Sequence, residues 1–415
     1  MKFFDWLKSL GKPKPAQDGG AVVRDTVQSS KQTAAEDARV PGFRRKLVRD
    51  QRYLPKPAKK NYWERPDPVL ERVEAARAYS PSMRSRNEAL RSLATDVELL
   101  RERRLPIWTR ETELAEALAM PVKRLRWLAN HRYDDRVEHY YRFRIPKRSG
   151  GYRVIMAPKT GLKAIQRSLY RLLTGRLPVS EHAHGFVPCR SVASNARPHV
   201  GKRVVMRFDL EDFFGTVTFG RVRGYFIAMG YNYEVATTLA LLTTEAERQP
   251  VEVDGELSYV PVGYRYCAQG APTSPSICNA IVMRMDRRLA GLAAAHGFAY
   301  TRYADDLTFS GDDQTKIGLF LRVVKEIVED EDFRLNAKKT RVMRSGSCQR
   351  VTGVVVNETM GLSRKDRRKL RAQIHQMSAD TSPAERAHVI GKLRYLQMLN
   401  PQQAAALWPG GPPAE

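Results

Sequence analysis

The chain has 415 residues, more than one compact core usually holds, so two or three domains are expected. Its 71 Lys plus Arg stand against 45 Asp plus Glu, a net charge of +26, which points to phosphate-backbone partners. Cys189, Cys267, Cys278 and Cys348 show no CxxC spacing, and no apolar run reaches bilayer length. The spacing argues against a disulfide framework and a structural zinc site, no membrane span is expected, and a reduced, cytoplasmic chain is expected.

The first residues, MKFFDWLKSLGK, are too short and too charged for a signal peptide; Phe3, Phe4, Trp6, Leu7 and Leu10 can share one face of a short helix. Residues 11–68 are rich in Pro, Gly, Lys and Arg and read as linker or basic arm. Val69 to Arg104 has a charged helical pattern, so residues 1–105 form a basic, partly helical N-terminal extension. A helix near Glu111 aligns Leu114 with Leu118, and Pro121 opens another carrying Val122, Leu125 and Leu128. YYRFRIP from Tyr140 alternates as a strand does, and KRSGGYRVIMAP places Gly150 and Gly151 between two such runs, a hairpin signature. Lys163 to Leu177 is an amphipathic helix with Ile165, Leu169 and Leu172 aligned. Val204 to Phe208 and Ala299 to Ser310 read as strands, without a regular βαβ repeat, so the fold class is α+β. Near the C-terminus, Ser363 with Asp366 starts a helix with Leu370, Ile374 and Met377 on one face. Arg364, Lys365, Arg367, Arg368, Lys369 and Arg371 cover the rest of it. Ser382-Pro383 starts the next, with Val389, Ile390, Leu393 and Leu396 inward and Pro401 as its stop.

Two acidic segments carry the chemistry. Asp209 ends the apolar strand in RFDLEDFF, and Asp305 and Asp306 sit at the tip of the hairpin in YADD. Adjacent carboxylates repel, and hard divalent magnesium is the usual counterion. Two such ions about 3.5–4 Å apart can clamp the attacking and leaving oxygens of a phosphoryl transfer. Ordinary turn chemistry explains an isolated Asp-Asp pair; a second acidic strand end in a strongly basic chain tips the balance to a site. Alternation would put Glu211 on the same face as Asp209 and Asp212 on the other.

RFDLEDFF, QGAPTSPSICNAIV, YADD and LNAKKTRV occur in that order and together resemble the palm motifs of reverse transcriptases. HGFVPCRS from His184, NARPHV from Asn195 and VTG from Val351 resemble elements of the bacterial retron enzymes. The resemblance implies a right-hand polymerase, with fingers and palm over residues 106–345 and a helical, thumb-like RNA-binding region over 346–415. It implies an RNA-directed DNA polymerase using two Mg2+ ions, with Mn2+ as a substitute. dNTPs are its substrates, and a cognate structured non-coding RNA is both primer and template. Synthesis would start at a 2′-hydroxyl of that RNA and give a branched RNA–DNA product, in antiphage defence with an effector protein.

Residue by residue, the resemblance assigns Asp209, Asp305 and Asp306 to the metals. Lys339 goes to the leaving pyrophosphate, with Lys338 a neighbouring contender. Lys147 and Arg153 go to the triphosphate, Arg148 being equally basic, and Phe214 to the ribose 2′ position. Gln269 and Gly270 line the nucleotide pocket. Asn195, His199, Arg364, Arg367, Arg368 and Arg371 are expected to meet RNA. Gly215 departs from the family, where Pro is common. A group II intron maturase would carry further domains after the thumb, a diversity-generating enzyme would lack the QGxPxSP form, and a decayed RNA-binding scaffold would not need the full Asp set.

Overall fold

The structure, a computed structural model, describes residues 91–129, 138–147, 150–253, 256–378 and 381–408. All lie in one compact unit, Pro66–Glu415. The apolar N-terminal helix, the basic arm and most of the helical stretch from Val69 fall outside the described residues.

Helix α1 (Val97–Glu102) is capped by the Asp96 carboxylate, which accepts from the Leu99 amide at 2.9 Å. Its Leu100 is fully buried beside Gly230, and Trp108 stacks on Tyr231 at 6.0 Å. Helices α2 (Glu111–Ala117) and α3 (Val122–Leu128) follow as expected, burying Leu114, Leu118, Leu125 and Leu128. Strands β1 (Tyr140–Pro146) and β2 (Tyr152–Pro158) form the expected antiparallel hairpin, in register from Tyr140↔Pro158 to Pro146↔Tyr152. Gly150 and Gly151 both adopt positive φ, 84° and 74°, which a side chain would resist. Helix α4 (Thr160–Leu172) buries Ile165 and Leu169; it starts before Lys163 and breaks at Leu173, where φ is −131° and ψ −71°.

After α5 (Val192–Ala196) comes β3 (Val204–Asp209), then α6 (Phe219–Ala228) and α7 (Tyr233–Thr243). The paired strands β4 (Thr244–Val253) and β5 (Glu256–Cys267) were not expected. Asp254-Gly255 between two alternating runs is the hairpin signal in the sequence that corresponds to them. Helices α8 (Ser274–Ile281) and α9 (Met283–Ala295) lead to β6 (Ala299–Tyr303) and β7 (Asp306–Gly311), then α10 (Ile317–Asp330) and β8 (Arg341–Arg344). The four-stranded sheet has the order β6-β7-β3-β8. Phe208, Phe309 and Phe320 build its core, with Phe298 against Phe320 at 4.4 Å.

Beyond the short pair β9 (Arg350–Val351) and β10 (Val354–Val355), the chain is helical: α11 (Arg364–His375), α12 (Pro383–Leu399) and α13 (Pro401–Leu407). Leu370, Val389, Leu393, Leu396 and Ala404 form one cluster. Pro401 does not stop the helical region. It opens α13 as its first residue, with the Asn400 side chain as cap, the position where a missing N–H costs nothing. The architecture is α+β, as the sequence implied.

Candidate active site

The strand pairing makes the site. β3 and β7 are in register Asp209↔Asp306, and β6 returns into β7 through Ala304 and Asp305, with Tyr303 opposite Asp306. Ala304 takes φ 57°, left-handed for a residue with a Cβ, so the turn is tight and strained. The Leu210 amide donates to the Asp305 carbonyl at 2.8 Å, and the Asn336 amide to the Asp209 carbonyl at 2.8 Å. Three chain segments thus meet at two adjacent strand ends. β3 stops at Asp209 and a turn follows, with Asp212 at φ 48°. The alternation expected for Glu211 and Asp212 therefore does not apply; the Glu211 amide donates to the Arg334 carbonyl at 2.7 Å.

Lys339 donates to both Asp209 oxygens, at 2.9 and 2.8 Å. Arg207, which the sequence reading overlooked, grips both Asp306 oxygens, Nε to Oδ1 at 3.2 Å. Burial first, then repulsion from Asp209 and Asp306, pushes the Asp305 carboxyl up to about 6 despite Lys339. Burial also raises Asp306, against the pull of Arg207. Among the described residues no three acidic, His or Cys groups close on one point. The donor chemistry nevertheless fits a hard divalent ion: the groups present are carboxylate oxygens, and a cation would relieve the penalty on Asp305.

Phe214 is half-buried in the turn after β3, edge-on to Phe186 at 6.3 Å, whereas its neighbour Phe213 is buried and stacked on Phe333. Phe213, not Phe214, is the core aromatic of the pair. Gly215 lies against the Asp212 carboxylate, which a Cβ would overlap; the departure from Pro makes room for it. The Gln269 carbonyl accepts from the Met156 amide at 2.9 Å, and a Cβ on Gly270 (φ 120°) would come within 2.9 Å of Ile155 and of the Met156 carbonyl. Glycine is needed for this approach to β2. The same loop reaches the Phe214 turn, since the Cys267 amide donates to the Val217 carbonyl at 2.9 Å. Lys147 and Arg153 lie at the exposed end of the β1–β2 hairpin, and Arg148 falls outside the described residues.

Asn195 and His199 require a correction. Both are 0% exposed, so neither side chain can touch a phosphate. His199 bonds through Nδ1 to the Ser310 hydroxyl and through Nε2 to the Thr301 hydroxyl, each at 2.7 Å, bridging β7 and β6. Asn195 Nδ2 donates to the Thr352 hydroxyl at 3.4 Å, and Thr352 is in VTG. On α11, Arg364, Arg368 and Arg371 are exposed and Arg367 is half-buried, while Leu370 faces α12.

A fully buried pair that the motifs did not mark lies under the YADD turn. The Arg302 guanidinium donates to both Asp286 oxygens at 2.8 Å, to Asn279 Oδ1 at 2.8 Å and to the Ala304 carbonyl at 3.2 Å. Hydropathy gives no signal for it, because a charged residue in a strand reads as solvent-facing.

Carboxylates on adjacent strand ends, a lysine on one of them, and a half-buried aromatic beside them define a polymerase palm. Residues 145–374 match the family model described as reverse transcriptase (RNA-dependent DNA polymerase). The retron Mx65 reverse transcriptase of Myxococcus xanthus is 53% identical over 88% of this chain and 86% of its own length. The retron Mx162 enzyme of the same species is 46% identical over 63% and 57%. The retron Ec86 enzyme of Escherichia coli is 32% identical over 72% and 87%. A solved foamy viral protease-reverse transcriptase aligns over 62% of this chain and 36% of its own, at 14% identity and TM-score 0.38, too distant for residue-level transfer. The chain belongs to the reverse transcriptases, and among them to the retron enzymes. It is an RNA-directed DNA polymerase with the right-hand polymerase fold. Among the described residues no helix is long and apolar enough to cross a membrane.

Proposed function

We propose that this polymerase copies a cognate structured non-coding RNA into single-stranded DNA, starting from a 2′-hydroxyl of that RNA and leaving a branched RNA–DNA molecule. The observation that carries the chemistry is the meeting of Asp209, Asp305 and Asp306 at adjacent strand ends, with Lys339 on Asp209. Those carboxylates would hold two Mg2+ ions, or Mn2+ in their place, which would supply positive charge to the attacking and leaving oxygens. Lys339 swings from Asp209 to the pyrophosphate. Lys147 and Arg153 grip the triphosphate of the dNTP electrostatically. Gln269 and Gly270 hold the nucleotide against β2, and Phe214 excludes a ribose 2′-hydroxyl. Residues 106–345 serve as fingers and palm, and 346–415 as a thumb whose α11 arginines meet RNA phosphates; residues 1–105 are an extension.

The similarity to retron enzymes and the net charge of +26 support the RNA partner. We place this reaction in the cytoplasm, in antiphage defence with an effector protein. The test is expression of the chain with its flanking genomic DNA, followed by sequencing of small single-stranded DNA and debranching of its RNA link. A DNA product that vanishes with Asp305→Asn and carries a debranchable RNA end is expected. Linear DNA with a free 5′ end would refute 2′-hydroxyl priming.

A further inference from the structure

The HGF segment has no task in the chemistry above, yet it is fastened to the catalytic hairpin along its length. The His184 amide donates to the Arg302 carbonyl at 2.7 Å, the Arg302 amide donates to the His182 carbonyl at 2.8 Å, and Ala183 bridges Arg302 in parallel. Gly185 lies flat on the YADD turn, where a Cβ would come within 2.6 Å of the Ala304 amide nitrogen. Its carbonyl accepts from Asn279 Nδ2 at 2.9 Å. The place of the next residue is therefore set by the catalytic turn itself.

That residue is Phe186. Its φ is 61°, a left-handed conformation that is costly for a bulky side chain, and it is 42% exposed. Core filling explains neither feature. The ring meets Phe214 edge-on, centroids 6.3 Å apart at 60°. Phe214 also contacts Phe213 edge-on, centroids 5.3 Å apart; Phe213 is 4% exposed and stacked on Phe333. Phe214 thus contacts both a buried ring and a strained, exposed one.

We propose that Phe186 is a specificity-determining positioning residue, which props the Phe214 ring and so sets how strongly the pocket rejects a ribose 2′-hydroxyl. The inference rests on Phe214 as the sugar gate. A deoxyribose does not press on Phe214, so the prop is idle during correct incorporation. A 2′-hydroxyl can enter only if the Phe214 ring turns away, and Phe186 blocks that movement. Anchoring the prop to the Ala304 turn keeps the gate in register with the reacting carboxylates.

The test is single-nucleotide incorporation by the full chain on a primed RNA template, with dNTP and rNTP in parallel, for Phe186→Ala, Phe214→Ala and the double variant. Phe186→Ala is expected to raise the rNTP-to-dNTP ratio of kcat/KM about two- to tenfold, the worth of an aromatic edge contact. The change should fall on the rNTP KM, with dNTP kcat retained. The double variant should match Phe214→Ala alone. Phe186→Gly, which accepts positive φ without strain, should act as the alanine does and guards against a folding artefact. A parental ratio in both Phe186 variants, while Phe214→Ala relaxes it, overturns the prop and leaves the gate standing. Additive effects in the double variant also overturn it, by showing that Phe186 acts apart from Phe214. A parental ratio in Phe214→Ala itself removes the gate and the prop together.

Discussion

Arg302→Gln isolates the energetics of the catalytic hairpin. Arg302 and Asp286 are both 0% exposed, and the guanidinium holds four oxygens at 2.8 to 3.2 Å. Without it, Asp286 keeps a donor in the Tyr300 hydroxyl at 2.8 Å but faces no opposite charge. Stranding one partner of a buried ion pair costs about 3–5 kcal/mol, because the remaining charge stays desolvated. For a unit as large as Pro66–Glu415 each kcal/mol moves the melting temperature by only about 1–2 °C, so a drop on the order of 5 °C is expected. Replacing both charges with apolar residues, Arg302→Met with Asp286→Leu, should restore most of that loss, since neither charge is then buried alone. It should not restore DNA synthesis, because the tether from Arg302 to the Ala304 carbonyl is still missing and the turn loses its support. Urea denaturation followed by tryptophan fluorescence, with primer extension at a temperature where every variant is folded, reads both effects. A loss under about 1 kcal/mol for Arg302→Gln would refute the reasoning, as would a double variant no more stable than the single one.

Asp305→Asn should abolish DNA synthesis and stabilise the metal-free protein. The folded carboxyl is raised to about 6, above its unfolded value, so ionisation destabilises the fold as pH rises through 6; the gain is up to about 3 kcal/mol at neutral pH and fades towards pH 4. Thermal melts in EDTA at pH 7.5 and 4.5 check this, and equal melting temperatures for parent and variant at pH 7.5 would exclude it. Burial depresses His199 to about 3, below its unfolded value, so its share of stability is present at neutral pH and is lost as pH falls from about 6.5 towards 3. His199→Asn should shallow the acid limb of the stability profile by up to about 1.4 kcal/mol per pH unit, measured as urea midpoints against pH. Changing Arg364, Arg367, Arg368 and Arg371 together to Gln should weaken cognate RNA binding and lower its salt slope by about 0.7–0.9 per lost phosphate contact. Filter binding across a salt series that gives an unchanged slope leaves α11 without an RNA role.

What was legible in the sequence was whatever follows from local patterning. The β1–β2 hairpin could be read because Gly150 and Gly151 must take positive φ, and α11 because Ser363 and Asp366 cap it three residues apart. Asp209 and the YADD pair could be read as one site because strand ends concentrate charge that nothing local neutralises. Arg207 and Arg302 could not be assigned, since their partners, Asp306 and Asp286, are brought to them only by strand register and helix packing. Asn195 and His199 misled for a related reason. A polar motif reads as a contact with solvent or RNA, but these buried side chains meet hydroxyl groups of β6, β7 and VTG.

β6 explains why those scattered motifs belong to one enzyme. Segments far apart in sequence converge on consecutive residues before the catalytic turn.

 Thr301 takes the His199 ring and Arg302 takes Asp286 and Asn279, while the Arg302 backbone takes both His182 and His184. His199 neutralises no charge. It joins hydroxyls on β6 and β7, one ring nitrogen donating and the other accepting, and so fixes the two strands that carry Asp305 and Asp306. Asn195 extends the same chain of contacts to Thr352 of VTG. Asn195, His199, Asn279, Asp286, Thr301 and Arg302 are buried, so a hydrogen bond forgone among them would leave a polar atom without water, at about 1–3 kcal/mol. The motifs therefore constrain one another through the strand, and a strained turn at Ala304 can persist because its surroundings over-determine it.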